Sequence, residues 1–109
     1  MSGDDDLGAM LEALKGDYRC RLPDTLGQIE TAWAAIEDGS ADAACVKSLE
    51  RALHSIAGAA GTFGLPALSE AAAAAETFVE SCLEQATLPA PAEVARLGTL
   101  LEAVKKEAA

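Results

Sequence analysis

The sequence predicts an all-α protein, an antiparallel four-helix bundle preceded by a short additional N-terminal helix. Three observations point there. Aromatic residues make up only 4% of the chain and β-branched residues are sparse, while alanine, leucine and glutamate dominate. Apolar residues recur at alternating intervals of three and four along four long segments. Glycine and proline punctuate those segments and leave connections short enough to join antiparallel neighbours.

The first segment, about Asp6 to Lys15, carries Leu7, Met10, Leu11 and Leu14 on one face, and Gly16-Asp17 weakens it at its end. It reads as a short helix or as a bent extension of the next. From about Tyr18 to Asp38, Leu22, Leu26, Ile29, Trp33 and Ile36 form one apolar stripe, with Pro23 marking a kink or a first turn. Gly39-Ser40 supplies a stop and a new N-cap. The third segment, about Ala41 to Phe63, places Val46, Leu49, Leu53, Ile56, Ala60 and Phe63 on the same repeat. After Gly64-Leu65-Pro66, a fourth stripe of Leu65, Leu68, Ala72, Ala75, Val79 and Cys82 runs to about Gln85, its alanines allowing close helix approach. Leu88-Pro89-Ala90-Pro91 forces a connection. The last segment, about Ala92 to Lys106, repeats Val94, Leu97, Leu101 and Val104, with Glu93 in its first turn and Lys105 and Lys106 in its last, as the helix dipole favours.

A chain of 109 residues is long enough to bury one core and too short for two, so residues 1–109 are expected to form a single domain with a disordered acidic tail over residues 1–5. With 18 acidic against 8 basic side chains, the net charge of -10 repels phosphate backbones and anionic headgroups, which argues against nucleic acid or a membrane surface as partner. Cys20, Cys45 and Cys82 stand far apart and form no C-x-x-C pair, so they read as small buried hydrophobes in a reducing compartment, not as a disulfide framework or a metal site. The acidic start Met1-Ser2-Gly3-Asp4-Asp5-Asp6 is unlike a secretory signal, and the expected location is the cytoplasm. The acidic triplet itself reads as solvated tail, without the ligand spacing of a cation site. No phosphate-binding glycine loop is present, so the chain is not a self-sufficient kinase.

His54 is the one histidine. The core stripe of its segment points about 135° away from it at ~100° per residue, so the imidazole is expected in solvent. Lys47, Arg51, Gly58 and Gly61 fall within about 60° of it, which gives a basic pair before the ring and two glycines after it. Each helical glycine costs roughly 1 kcal/mol relative to alanine. Access explains that cost, because a missing side chain one turn beyond the ring lets another protein descend onto it; close helix packing is the other reading. An exposed imidazole is a competent nucleophile near neutral pH, and a nearby guanidinium or ammonium offsets phosphoryl charge. Ser55, although adjacent, points about 100° away and is no catalytic partner of the ring.

The stretch Leu53-His54-Ser55-Ile56-Ala57-Gly58-Ala59-Ala60-Gly61-Thr62-Phe63-Gly64 resembles the signature of the histidine-containing phosphotransfer (HPt) domains of phosphorelays, His-x-Leu-Lys-Gly followed by small residues, an apolar residue and glycine. By that resemblance His54 is the phosphoacceptor, Ile56 the apolar position, Gly58 the glycine that admits a receiver domain, and Phe63-Gly64 the close of the helix. The order of the other segments is similar to the family's bundle as well. One position departs: Ala57 stands where the pattern has a lysine that helps hold the phosphoryl group, and Arg51 and Lys47 are the residues placed to substitute for it.

The resemblance implies a phosphoryl carrier, not an enzyme, in which His54 takes a phosphoryl group from a receiver aspartyl phosphate and relays it to another response regulator. Arg51, Lys47, Gly58, Gly61, Ser55 and Ala57 are the expected supporting or docking residues. The implied partners are receiver domains and a hybrid histidine kinase. No cofactor or metal of its own is expected, since Mg²⁺ belongs to the receiver, and the chain is expected to be a monomer. The docking face is expected on the exposed side of the His54 helix and the adjoining face of the helix before it. The alternative is an HPt-like scaffold that keeps the docking face, lacks the lysine and binds a receiver or kinase without being phosphorylated.

Overall fold

In a computed structural model, which describes residues 3–85 and 90–108, the chain folds into four helices: α1 (Gly3–Asp38), α2 (Ala43–Thr62), α3 (Pro66–Glu84) and α4 (Pro91–Ala108). The apolar stripes read from the sequence meet in one core. Leu22, Ile29 and Ile36 of α1, Val46, Leu49, Leu53, Ile56 and Ala60 of α2, Leu68, Ala72, Ala75 and Val79 of α3, and Leu97, Leu101 and Val104 of α4 are all buried. No charged residue is buried among the described ones, and the Tyr18 hydroxyl is the one buried side-chain oxygen or nitrogen without a hydrogen-bond partner, so the interior mainly supplies cohesion. Each helix packs on its neighbour in sequence, and α1 also closes on α4.

The N-terminal segment is not a separate helix. It forms the first turns of α1, which runs unbroken through Gly16-Asp17 and Pro23 for 36 residues. A helical glycine costs only about 1 kcal/mol, and breaking the chain there would forfeit the hydrogen bonds of the turns on both sides. Tyr18, just beyond Gly16, is anchored in the core with its ring 5.4 Å from that of Phe63. Helix α1 also takes in positions 3–5 of the expected acidic tail; Met1 and Ser2 lie outside the described residues.

Asp42, not Ser40, caps α2, its carboxylate accepting the Cys45 amide at 2.8 Å. Ser40 lies too early, and its own amide is held by the Asp38 carboxylate at 2.8 Å within the turn made by Gly39 at φ 80°. Helix α2 ends as Gly64 turns to φ 76°, with the Leu65 amide reaching back to the Ala60 carbonyl at 2.8 Å. Pro66 then opens α3 and Pro91 opens α4, each at the first helical position, where proline's missing N–H costs nothing. Of the connection expected at residues 88–91, positions 88 and 89 lie outside the described residues. Cys82 is buried and Cys45 half-buried, but Cys20 is exposed. It sits about 200° around the helix from both Tyr18 and Leu22, on the solvent side of α1.

Candidate functional site

Helix α2 presents a solvent-facing ridge opposite its core stripe, and the ridge carries Lys47, Arg51, His54 and Gly58. The imidazole is 75% exposed at the side chain. It is also held: Nδ1 lies 2.5 Å from Oε2 of Glu76 on α3. A carboxylate only accepts, so Nδ1 carries the proton and donates it. Nε2 has no hydrogen-bond partner among the described residues. Glu76 sits at the margin of the α3 core face, between buried Ala75 and Val79, and only 13% of its side chain is exposed. A carboxylate so covered needs a partner, and the imidazole supplies it.

The electrostatics differ from the basic patch that the spacing suggests. Lys47 and Arg51 are exposed on the ridge as expected, but the groups that act on the ring are carboxylates. The Glu76 hydrogen bond and its negative charge, with smaller contributions from Glu50 one turn earlier on α2 and Glu80 one turn later on α3, hold the His54 pKa above the ordinary histidine value. Glu80 is in turn raised above the ordinary carboxylate range by partial desolvation and by like charge from Glu76, Glu50 and Glu84. His54 thus stands on a boundary, with acid on its α3 flank and base along its own ridge. Glu50, His54 and Glu76 each offer one potential metal-ligand atom within 4.8 Å of the others. The short His54–Glu76 hydrogen bond engages the nitrogen that such an ion would need.

The two glycines separate. A Cβ at Gly58 meets nothing within 4 Å, so that position is open space beside the ring. A Cβ at Gly61 would lie 3.2 Å from Oγ of Ser69, which donates to the Ala57 carbonyl at 2.6 Å. Gly61 therefore serves the close approach of α2 and α3, and Gly58 is the accessible one. Ala57 is half-buried on that same α3 side, and Ser55 is exposed beyond the ring. On the opposite flank, α1 and α2 leave an open groove of about 530 Å³ lined by Asp24, Gly27, Gln28, Thr31, Cys45 and Ser48. Glu76 is the residue that sequence reasoning missed. It lies 22 positions from His54, although counting outward from the tight Gly64 turn places the two nearly level on an antiparallel pair of helices.

An exposed imidazole on an open ridge, with no enclosed chamber around it among the described residues, fits chemistry completed by a second protein. The Hpt domain family model matches residues 13–107 of the chain. The chain belongs to the Hpt domain family. Hpt domains are phosphocarrier modules of phosphorelays that act through histidine phosphotransfer, have no kinase activity of their own and interact with receiver domains and histidine kinases. No curated protein and no solved structure gives a significant match to this Hpt domain. None of its described helices is long and apolar enough to cross a membrane.

Proposed function

We infer that His54 is the phosphoacceptor of this Hpt domain and that it takes a phosphoryl group from the aspartyl phosphate of one receiver domain and passes it to another. The observation that carries this reading is the 2.5 Å contact between His54 Nδ1 and the Glu76 carboxylate, which as an acceptor favours the proton on Nδ1 and, in the neutral ring, the lone pair on Nε2. Nε2 attacks phosphorus in line, the N–P bond forms as the P–O bond to the aspartate breaks, and the aspartate leaves as its carboxylate. The ring becomes positively charged, and Glu76 at Nδ1 stabilises that charge. Return transfer is the reverse. The receiver supplies Mg²⁺ and its own acidic residues and lysine; this chain supplies the nucleophile, its orientation and a docking face. Gly58 gives the partner room, and Arg51 and Lys47 are the cations within reach of the phosphoryl oxygens.

A second reading rests on the acidic flank. Glu50, Glu76 and Glu80 repel a phosphoryl dianion, and Ala57 supplies no charge against them, which favours a scaffold that docks a receiver or kinase without accepting phosphate. Incubation with Mg²⁺-loaded, phosphorylated receiver domains decides between the two, read as acid-labile, alkali-stable phosphate by mass spectrometry and phosphorus NMR. Signal in the native chain and none in His54→Gln supports the carrier; receiver binding without signal supports the scaffold.

A further inference from the structure

Helix α1 is far longer than its partners. Its 36 residues extend about 54 Å, whereas α2, α3 and α4, with 20, 19 and 18 residues, extend only about 27–30 Å. The molecule is accordingly 58 Å long and about 20 Å across. The bundle begins at Tyr18, which packs on Phe63 beside the α2–α3 turn. The turns of α1 before it project past that end.

The projecting part is not built like a solvated arm. Leu7, Met10, Leu11 and Leu14 are 55, 60, 46 and 42% exposed. Their helical positions fall within an arc of roughly 100°, and Tyr18, Leu22, Ile29 and Ile36 continue that same face into the core. The seam that α2 and α4 cover in the bundle thus runs on uncovered for four more large side chains. A helix of this length without tertiary packing is marginal in water, and Gly8 and Gly16 weaken it further.

We propose that the projecting turns of α1 pair antiparallel with those of a second copy of this chain, each covering the other's open seam in a two-fold dimer. The stripe is its own complement. Its spacings of 3, 1 and 3 read identically in both directions, so a two-fold axis between positions 10 and 11 sets Leu7 against Leu14 and Met10 against Leu11 of the other copy. Charge selects the same direction. The segment is acidic at its start, Asp4 to Asp6, whereas its base carries both signs, Lys15 and Arg19 among Glu12 and Asp17, with Lys15 3.3 Å from Glu12. Antiparallel pairing sets the acidic start of one copy level with the mixed-charge base of the other, where Lys15 and Arg19 lie, whereas parallel pairing stacks the two acidic starts on each other. Glu12, Lys15 and Arg19 also line the recess beside Phe63 and Gly64, at the end of the bundle that the start of the second copy would reach. A contact about 18–20 Å long between two helix faces lies at the low end of stable interface sizes, so the dimer is expected to dissociate in the micromolar range. This departs from the monomer expected of a lone bundle. It leaves His54 free, since the ring lies nine positions along α2 from Phe63, which marks the end of the bundle from which α1 projects.

Sedimentation of the full chain from roughly 1 to 500 µM tests this. The expected result is a concentration-dependent shift from the 11.1 kDa monomer to twice that mass. Leu11→Asp, and independently Met10→Glu, are expected to weaken the dimer on the order of 100-fold while helicity and melting of the bundle stay unchanged, because both side chains are already exposed. Asp4→Lys and Lys15→Glu are each expected to weaken self-association, and their mixture to recover it as a heterodimer. A monomer across the whole range overturns the proposal. So does a stripe that becomes covered only when a receiver or kinase is added. A dimer indifferent to the charge reversals overturns the antiparallel pairing.

Discussion

Replacing Gly58 by alanine sets stability against function at one position. Gly58 lies inside α2 with no positive φ, and the added methyl meets nothing within 4 Å, so it creates neither strain nor overlap. It also gains no burial, because the position is exposed. The folding effect is then the helix propensity difference alone, about 0.8–1.0 kcal/mol in favour of alanine. For a domain of this size, that raises the melting temperature by about 4–8 °C. At the same time, the methyl stands one turn from His54, roughly 5–6 Å from the ring's Cβ, on the surface a receiver must approach. Displacing the partner by about 1 Å from in-line geometry lowers the transfer rate by on the order of 100-fold. Calorimetry and phosphotransfer kinetics on the same preparation check both halves. A variant that melts higher and transfers as fast as the native chain refutes the access role of Gly58; one that melts lower refutes the reading of the position as open space. Gly61→Ala is the control. Its Cβ crowds Ser69 Oγ at 3.2 Å, so it gains less stability and leaves transfer unchanged.

Further outcomes follow from the site and its helix. NMR titration is expected to place the His54 pKa above about 6.5, with Glu76→Gln lowering it. The imidazolium–carboxylate pair stabilises the fold below the unfolded-state pKa of histidine, and that contribution disappears as pH rises through the raised folded value. Phosphoryl acceptance runs oppositely, rising with pH through that same value as Nε2 gains its lone pair; in Glu76→Gln the inflection moves to lower pH and the plateau falls. An inflection that does not move removes Glu76 from its positioning role. Arg51→Ala is expected to slow transfer about two- to fivefold with helicity unchanged, the range of an exposed charge, and an unaltered rate sinks that assignment. Asp42→Ala removes the carboxylate that accepts the Cys45 amide and is expected to cost about 1 kcal/mol in a denaturant melt.

The stripes were legible because each is a local property: the 3–4 spacing of Val46, Leu49, Leu53 and Ile56 needs no partner to be read, and the same spacing exposes His54. The continuity of α1 was not, since Gly16 and Pro23 are local breakers and the packing of Tyr18 that holds the helix together comes from α2. Ser40 and Asp42 are both good caps by composition; only the course of the turn after Gly39 selects the second. The sign of the field at His54 was misread for a similar reason. Lys47 and Arg51 are visible on the same helix wheel, whereas Glu76 arrives from another helix. Cys20 was misplaced because a cysteine carries no periodicity of its own, and its side of α1 follows from its neighbours.

The interior, in which the Tyr18 hydroxyl is the one polar side-chain atom buried without a hydrogen-bond partner among the described residues, has a consequence for how such a module can be altered. Among the described residues, Glu76, at the margin of the core, is the one covered charge that reaches the His54 ring, and beyond it the ridge of α2 can be rewritten as if it were print on a rigid card. Exchanges at the exposed Lys47, Arg51 or Ser55 need no compensating change beneath them. Repacking Leu49, Leu53 or Ile56 can in turn adjust thermal tolerance without altering any charge on the ridge. The surface and the interior of this bundle can therefore change on separate schedules.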